Sequence, residues 1–201
     1  MIKIYGVPAS RAFRPLWLLE ELGVAYERVP TNFATGDTRS AEFLKLNPNG
    51  HIPVMVDGTL VLWESMAINL YLGRAYGAGS LWPAEIADEG RTFQWSFWAM
   101  TEAETPLLTV LMHRRLLPAD QRDERAAADA EAKLAAPFGV LDGALRHRPY
   151  LLGAAFGVAD LNVASVVQWA LTAKLDLARW PQLTDWLGRC IGRPAAKRAR
   201  G

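Results

Sequence analysis

Residues 47–54 read Asn-Pro-Asn-Gly-His-Ile-Pro-Val, a turn that leads directly into a strand whose first residue is proline. Proline cannot donate a hydrogen bond to a sheet, so it is tolerated at the start of a strand, where its peptide bond can also be cis. A cis bond at Ile52-Pro53 would leave the backbone N–H and C=O of Ile52 free for a peptide ligand. Base rates alone favour an ordinary trans proline, so the neighbouring sequence has to decide.

The flanking sequence predicts a small mixed sheet covered by helices. Alternating, β-rich runs predict strands, and apolar residues at helical spacing predict helices. Asp57-Gly58 is a favoured two-residue hairpin turn, and Gly23 closes the first helix. The predicted order is βαβαββα, with strands at 2–5, 26–29, 53–56 and 59–63 and helices at 16–22, around 41–46 and from 65 onward.

The composition changes after this first half. Residues 77–83 are rich in glycine and resemble a linker, and no convincing alternating strand follows them. Helical periodicity is present instead at about 85–115, 121–145, 158–173 and 183–191. We therefore expect a first domain at 1–78, a linker at 79–84 and an all-α domain at 85–201.

Composition and charge exclude several classes of function. The chain has 201 residues, 51% of them hydrophobic, which is enough for a sizeable core. A net charge of +1 gives no global field to attract nucleic acid or an anionic membrane. Cys190 is the only cysteine and there are three histidines, so no disulfide and no metal site are expected. We expect no export signal or membrane span and a cytoplasmic location.

The pair Glu64-Ser65 stands where the fourth predicted strand ends and a helix begins. Ser65 is a natural N-cap, and its hydroxyl and the following amides suit an anion such as a carboxylate. Glu64 beside it can hold an ammonium group, so the two together could receive both charges of an amino acid. The competing interpretation is a plain helix cap next to an exposed glutamate.

Ser10 lies between the first strand and the first helix. Pro15 has no backbone N–H and is tolerated only within the first three helical positions, where this group would be unpaired. The helix is therefore expected to start at about Ala12 or later. Ser10 can then remain in the loop, with its hydroxyl and the positive end of the helix aimed at an anion. A simple N-cap is the alternative role.

Taken together, these motifs resemble the cytosolic glutathione transferase family, and among its classes the serine-type theta, phi and zeta members. The resemblance covers essentially the whole chain, because the order and spacing of the motifs are specific even though each is weak alone. It is carried by Ser10 four positions before Arg14, by residues 18–23 and 47–53, by Glu64-Ser65 and by residues 157–161.

The resemblance implies a thioredoxin-like first domain that binds glutathione as co-substrate, without a metal. Pro53 would be cis and let Ile52 pair with the cysteinyl backbone of glutathione, while Glu64 and Ser65 would take its γ-glutamyl end. The residue before the Ile-Pro pair often helps to bind the glycyl carboxylate in this family. His51 could fill that role, or it could be a surface imidazole.

The family resemblance also implies how the thiol is activated. A free thiol has a pKa of about 8.5, and only the thiolate is a competent nucleophile. Ser10 would donate its hydroxyl to the glutathione sulfur, and would be neither a base nor a nucleophile. Tyr5 is the rival donor because other classes use a tyrosine near the end of the first strand. No cysteine lies near Ser10, which argues against dithiol chemistry, and Cys190 is expected to be buried.

The implied activity is conjugation of glutathione to small hydrophobic electrophiles, in detoxification, by a homodimer. Two alternatives stay open: a non-catalytic ligand-binding or protein-interaction module, and glutathione-dependent isomerisation, dehalogenation or peroxide reduction. The electrophile pocket and the dimer contacts are assigned to the helical domain. Its first helix offers an apolar set that could instead be core: Phe93, Trp95, Phe97, Trp98 and Met100.

Several further residues have expected roles in the helical domain. Glu102 and Glu104 are candidates for reaching the partner subunit's glutathione, although a solvated helix face explains them equally well. Asp160 matches the family's N-capping motif, but Gly157 stands where Ser or Thr is usual, so half of the reciprocal capping box is missing. The basic tail at residues 193–201 is expected to be a frayed, solvent-facing end.

Overall fold

The computed structural model describes all residues from 1 to 201, and these fall into two compact units. The first unit comprises Met1–Ala84 together with Arg193–Gly201, and the second comprises Glu85–Gly192. All four strands lie in the first unit, whereas the second unit is helical. None of the helices combines the length and the apolar content that a membrane span requires.

The sheet of the first unit contains β1 (Ile2–Tyr5), β2 (Tyr26–Val29), β3 (Val54–Asp57) and β4 (Leu60–Trp63), in the spatial order β2-β1-β3-β4. β1 and β2 are parallel, and the other two pairs are antiparallel. The predicted mixed sheet is confirmed, but its hairpin turn is shifted by one residue. Asp57 pairs with Leu60, so the turn is Gly58-Thr59, and Gly58 has the positive φ of 59° that glycine tolerates.

Three helices belong to the amino-terminal part of this unit: α1 (Phe13–Leu22), α2 (Ala41–Leu46) and α3 (Ser65–Tyr76). Helix α1 starts at Phe13 because Pro15 fits only in a first turn, and it ends at Gly23, whose φ of 64° forms a left-handed cap. It packs against α3 and buries Trp17 and the three leucines around it completely. Two short 3₁₀ turns, Phe33–Thr35 and Asp37–Arg39, precede α2.

The second unit begins with one long helical segment that departs twice from α geometry. Helices α4 (Ile86–Trp98) and α5 (Thr105–Leu111) are joined by a π-helical stretch at Ala99–Glu104, and a second such stretch follows at Met112–Leu116. Pro106 lies in the first turn of α5 and cannot donate an N–H to the preceding turn, and the first π-helical stretch ends at Glu104, two residues before this proline. The remaining helices are α6 (Glu124–Lys133), α7 (Ala135–Ala144), α8 (Val158–Val167), α9 (Trp169–Thr172) and α10 (Pro181–Ile191).

The sequence led us to expect a frayed carboxyl-terminal tail, but the tail is ordered and helical. Residues Pro194–Arg198 form α11, which packs against α1 in the first unit and buries Ala195 and Ala196, and its C-cap residue Ala199 is buried as well. Arg193 donates two hydrogen bonds to Glu21, at 2.6 and 2.8 Å, and Arg198 pairs with Glu20 at 2.7 Å. The expectation failed because the acidic partners lie about 175 positions earlier in the chain. The tail therefore belongs to the first unit and not to the helical domain.

The two ion pairs of the tail make a matched test of burial. The side chain of Glu21 is only 6% exposed, whereas Glu20 is 22% and Arg198 is 56% exposed. We expect Arg193→Gln to lower the free energy of unfolding by about 1.5–3 kcal/mol, because it leaves a shielded carboxylate without its charged donor. Arg198→Gln should cost less than about 1 kcal/mol because its pair is solvated. Urea denaturation at one protein concentration measures both, and equal losses would contradict the role assigned to burial.

Asp160 anchors the start of α8 from a fully buried position. Its carboxylate accepts hydrogen bonds from the N–H of Leu151 at 2.8 Å, from Nε1 of Trp186 at 2.8 Å and from the N–H of Gly157 at 3.1 Å. Because Gly157 has no side chain, only this half of the reciprocal capping box exists, as the sequence predicts. Burial raises the pKa of Asp160 to about 6, although the three donors act in the opposite direction.

Candidate functional site

The ends of three strands meet at one edge of the sheet. Tyr5, the last residue of β1, pairs with Val54, the first residue of β3, and Val54 also pairs with Trp63, the last residue of β4. The loop after β1, the Ile-Pro pair before β3 and the Glu-Ser pair after β4 therefore leave the sheet at the same edge. The register alone brings the predicted site segments together.

The Ile52-Pro53 peptide bond is cis, as the family resemblance implies. Strand β3 starts at Val54, so Ile52 lies beyond the last ladder pair and no strand pairs with its backbone. The loop after β1 passes close to it: a Cβ on Gly6 would stand 3.5 Å from the Cβ of Ile52 and 2.6 Å from that of Ala12. The loop after β1 therefore lies against the side chain of Ile52, while the backbone of Ile52 has no partner in the sheet.

Ser10 lies in the loop, as predicted, because the N-cap of α1 is Ala12 and the helix begins at Phe13. Its hydroxyl donates to the backbone oxygen of Val7 at 2.7 Å and accepts the N–H of Ala12 at 3.1 Å. The oxygen is thus held just before the positive end of α1. The hydroxyl proton has to leave Val7 before it can serve a ligand, which needs only rotation about the C–O bond.

Tyr5, the rival donor, ends β1 and uses its ring for packing. The ring meets that of Phe43 in α2 edge to face, with the centroids 6.4 Å apart. This contact gives Tyr5 a structural role within the unit, which favours Ser10 as the donor. The phenol of Tyr5 still lies at the same edge of the sheet, so it stays a rival donor.

The expectation that Ser65 caps α3 is wrong in one respect. Glu64 is the N-cap residue, with φ 70° and ψ 112°, and Ser65 is the first helical residue. The side chain of Glu64 makes no capping hydrogen bond, and the hydroxyl of Ser65 accepts one from Nη1 of Arg14, at 2.9 Å. A positive φ is costly for a residue with a side chain, by about 1–3 kcal/mol, and such residues concentrate at binding sites. Ser65 is buried and Glu64 is exposed.

His51 is exposed, and its backbone oxygen accepts a hydrogen bond from the side-chain amide of Asn47 at 2.7 Å. A second basic side chain, not singled out by the sequence, lies beside the same turn. Nη1 of Arg39 stands 2.6 Å from the place that a Cβ on Gly50 would occupy. Nothing in the local pattern of the polar loop at 31–39 marks this arginine, because only the fold brings it to residue 50.

The predicted residues of the second unit separate into exposed and buried groups. Phe93 is 36% and Phe97 is 63% exposed, whereas Trp95 is 9% exposed and packs against Trp98 with centroids 5.2 Å apart. Glu102 is exposed, but Glu104 is 4% exposed and so does not belong to a solvated face. Cys190 is buried, as predicted. No group of three or more His, Cys, Asp or Glu side chains could hold a metal ion.

A four-stranded mixed sheet with a cis-proline directly before its third strand, followed by a helical unit, defines the class of two-domain proteins with a thioredoxin-like first domain. Two family models match the chain: "Glutathione S-transferase, N-terminal domain" over residues 1–74 and "Glutathione S-transferase, C-terminal domain" over residues 100–194. The chain belongs to the glutathione S-transferase family.

Individual relatives agree with this assignment over almost the whole length. The chain is 33% identical over 202 residues to glutathione S-transferase GstB of Escherichia coli (strain K12), covering 98% of this chain and 97% of that protein. It is 32% identical to glutathione S-transferase 3 of Zea mays, covering 96% and 90%. The theta class glutathione S-transferase of Xanthomonas axonopodis pv. citri, solved with glutathione bound, superposes with a TM-score of 0.92 at 31% identity, covering 98% and 96%.

Proposed function

We propose that this protein binds glutathione at the edge of its first-unit sheet and transfers the thiolate to small hydrophobic electrophiles. The observation that carries the proposal is the convergence of the Ser10 loop, the cis Ile52-Pro53 pair and Glu64-Ser65 at that edge. A tripeptide with one thiol and charged ends needs a backbone partner, a partner for each end and a donor for sulfur. The edge offers at least one group for each of these.

Each part of glutathione has a chemically matched group. The free backbone of Ile52 pairs with the cysteinyl residue in the manner of one more strand. The exposed carboxylate of Glu64 receives the ammonium of the γ-glutamyl residue, and Ser65 receives its carboxylate at the start of α3. Arg39 and His51 flank the turn before Ile52, where the glycyl carboxylate would lie, and a guanidinium suits a carboxylate in geometry and charge.

Ser10 is the group that we assign to the sulfur. Its hydroxyl rotates from the oxygen of Val7 to the thiolate while its oxygen stays bonded to the N–H of Ala12. The hydrogen bond and the positive end of α1 both stabilise the anion, so the thiol loses its proton at a lower pH. Lowering the thiol pKa by one unit needs about 1.4 kcal/mol, which one hydrogen bond to a charged acceptor can supply.

The second unit supplies apolar surface and, in our proposal, contacts within a homodimer. Phe93 and Phe97 are large aromatic side chains that α4 leaves exposed, and such residues are enriched where proteins bind apolar ligands or partners. Glu102 is the acidic residue of this segment that is free to reach a partner subunit, because Glu104 is buried. We also propose a cytoplasmic location, where glutathione is kept reduced.

Titration calorimetry with glutathione tests the binding and the ionisation together. Because the site stabilises the thiolate, we expect binding at pH 7 to release about 0.2 of a proton if the thiol pKa falls by one unit from about 8.5, and about 0.7 if it falls by two. The release is measured from the heat in buffers of different ionisation enthalpy. Ophthalmic acid, which has a methyl group in place of the thiol, is the matched control and should bind without releasing a proton from sulfur.

The two ways in which this experiment can fail have different meanings. Folded protein that gives no heat with either tripeptide would refute the proposed function. Binding of both tripeptides with the same proton balance would indicate a ligand-binding module that does not activate the thiol. Turnover of an aryl halide would then be absent as well.

A further inference from the structure

Arg14, the second residue of α1, is an almost completely buried guanidinium. Its side chain is 1% exposed, and Nη1 donates a 2.9 Å hydrogen bond to Oγ of Ser65, which lies 51 positions later at the start of α3. An arginine is always charged, and its burial costs several kcal/mol unless hydrogen bonds compensate. A charged side chain that only contributed to the surface would not have to be buried in this way. The burial of Arg14 against the hydroxyl of Ser65 therefore indicates a specific role.

The hydrogen bond from Arg14 fixes which way the hydroxyl of Ser65 can act. A serine hydroxyl has one proton to donate and two lone pairs that accept. Arg14 occupies a lone pair, and the Ser65 proton is donated to no atom of this chain. Ser10 differs, because its proton is held by the oxygen of Val7. The proton of Ser65 is therefore available to an acceptor from outside the chain.

We propose that Arg14 is a positioning residue for recognition of the γ-glutamyl carboxylate, an inference that rests on the proposed function. Through its hydrogen bond, Arg14 holds Oγ of Ser65 with the O–H directed at the ligand. The positive charge on the far side of the hydroxyl polarises it, so guanidinium, hydroxyl and carboxylate form one charge-assisted chain. Because Arg14 and Ser65 are both buried, little water screens the interactions between the guanidinium, the hydroxyl and the carboxylate, which strengthens them.

The test compares two ligands that differ only in the group at issue. The first is glutathione, and the second is 4-aminobutanoyl-cysteinyl-glycine, which lacks the glutamyl carboxylate and keeps the ammonium. The readout is the ratio of their dissociation constants, taken on the same preparation of Arg14→Gln, Ser65→Ala, the double variant and the unchanged protein. A loss of folded protein affects both constants equally and cancels in the ratio.

Because a hydrogen bond to a charged group is at stake, we expect Arg14→Gln to reduce the discrimination between the two ligands by about tenfold. Ser65→Ala should reduce it at least as much, and adding Arg14→Gln to Ser65→Ala should change it little further. Arg14→Lys, which keeps a cationic donor, should restore part of the discrimination. Circular dichroism and thermal unfolding report separately on the fold.

Three results would overturn the inference. The first is a ratio of dissociation constants that Arg14→Gln leaves unchanged. The second is an Arg14→Gln change that lowers this ratio by the same factor in the Ser65→Ala protein as in the unchanged protein. The third is a ratio that Ser65→Ala leaves unchanged. The last of these needs no change at Arg14, so it decides even if the Arg14 variants do not fold. Absence of glutathione binding by the unchanged protein would refute the proposed function instead.

Discussion

Replacing Ser10 with alanine is expected to raise the pKa of bound glutathione by about one to two units and to lower kcat/KM for conjugation near pH 6.5 by about 10- to 100-fold. The change removes the donor assigned to the sulfur and leaves in place the groups assigned to the tripeptide backbone and to its two ends. Binding of glutathione should therefore weaken much less than turnover. Steady-state rates with an aryl halide, measured from pH 5.5 to 9, give both quantities.

The shape of the pH profile separates a lost donor from a disturbed site. If Ser10→Ala only raises the thiol pKa, its rate should approach that of the unchanged protein at high pH, where the thiol ionises without help. Ser10→Thr keeps a hydroxyl and should retain much of the activity. Tyr5→Phe removes the rival hydroxyl while its packing on Phe43 remains. A large loss in Tyr5→Phe, with Ser10→Ala active, would reassign the donor to the tyrosine.

Asp160→Ala is expected to lower the free energy of unfolding by about 3–5 kcal/mol, the range seen when a buried charged partner is removed from its donors. The substitution leaves the N–H groups of Leu151 and Trp186 buried without an acceptor and opens a small cavity. It also uncaps α8. For a chain of this length we expect the melting temperature to fall by about 10 °C or more, measured by calorimetry.

A matched control comes from a second aspartate that also serves α10. Oδ1 of Asp142 accepts the N–H groups of Gln182 and Leu183 at the start of that helix, at 2.8 and 3.1 Å, but it does so in a partly buried position. Asp142→Ala should therefore cost only about 1–2 kcal/mol, as expected for a helix cap. If both substitutions had the same cost, the burial of the Asp160 network would not be the reason for its importance.

The raised pKa of Asp160 predicts a pH dependence of stability with a definite sign. The carboxyl ionises at about 3.8 in the unfolded chain and at about 6 in the folded one, so between these values the folded state holds more protons. Stability contributed by this group is therefore complete below pH 3.8 and is lost as the pH rises to about 6. Asp160→Asn, which cannot ionise, should lack that loss of about 3 kcal/mol in denaturation measured against pH. A constant difference between the two proteins across this range would contradict the assignment.

The sequence predicted the local elements well where the pattern was short and regular. Strand β1 and helix α2 have the predicted limits, and the arrest of α1 at Gly23 follows from its left-handed cap. Errors arose where a distant residue decided. The tail is helical and packed because Arg193 and Arg198 form ion pairs with glutamates on α1. A different kind of error is the pair of π-helical stretches, which interrupt what the periodicity predicts as one helix.

The site was predictable to the same degree and for the same reason. The cis bond at Ile52-Pro53 and the loop position of Ser10 follow from proline chemistry and from the family's motif order, and the structure confirms both. The roles of Arg14 and Arg39 did not follow from them. One depends on a hydrogen bond across 51 residues, and the other on the approach of a loop to Gly50.

Proline, glycine and serine act through their own bonds and their nearest neighbours. For this reason the order of residues was enough to define the strands, the turn before Ile52, the loop around Ser10 and hence the family. Charged and hydroxyl groups act through space, and their partners are set only when the strand register and helix packing are complete. The tertiary structure alone therefore decided that the Ser65 hydroxyl is held by a buried guanidinium rather than by its own helix.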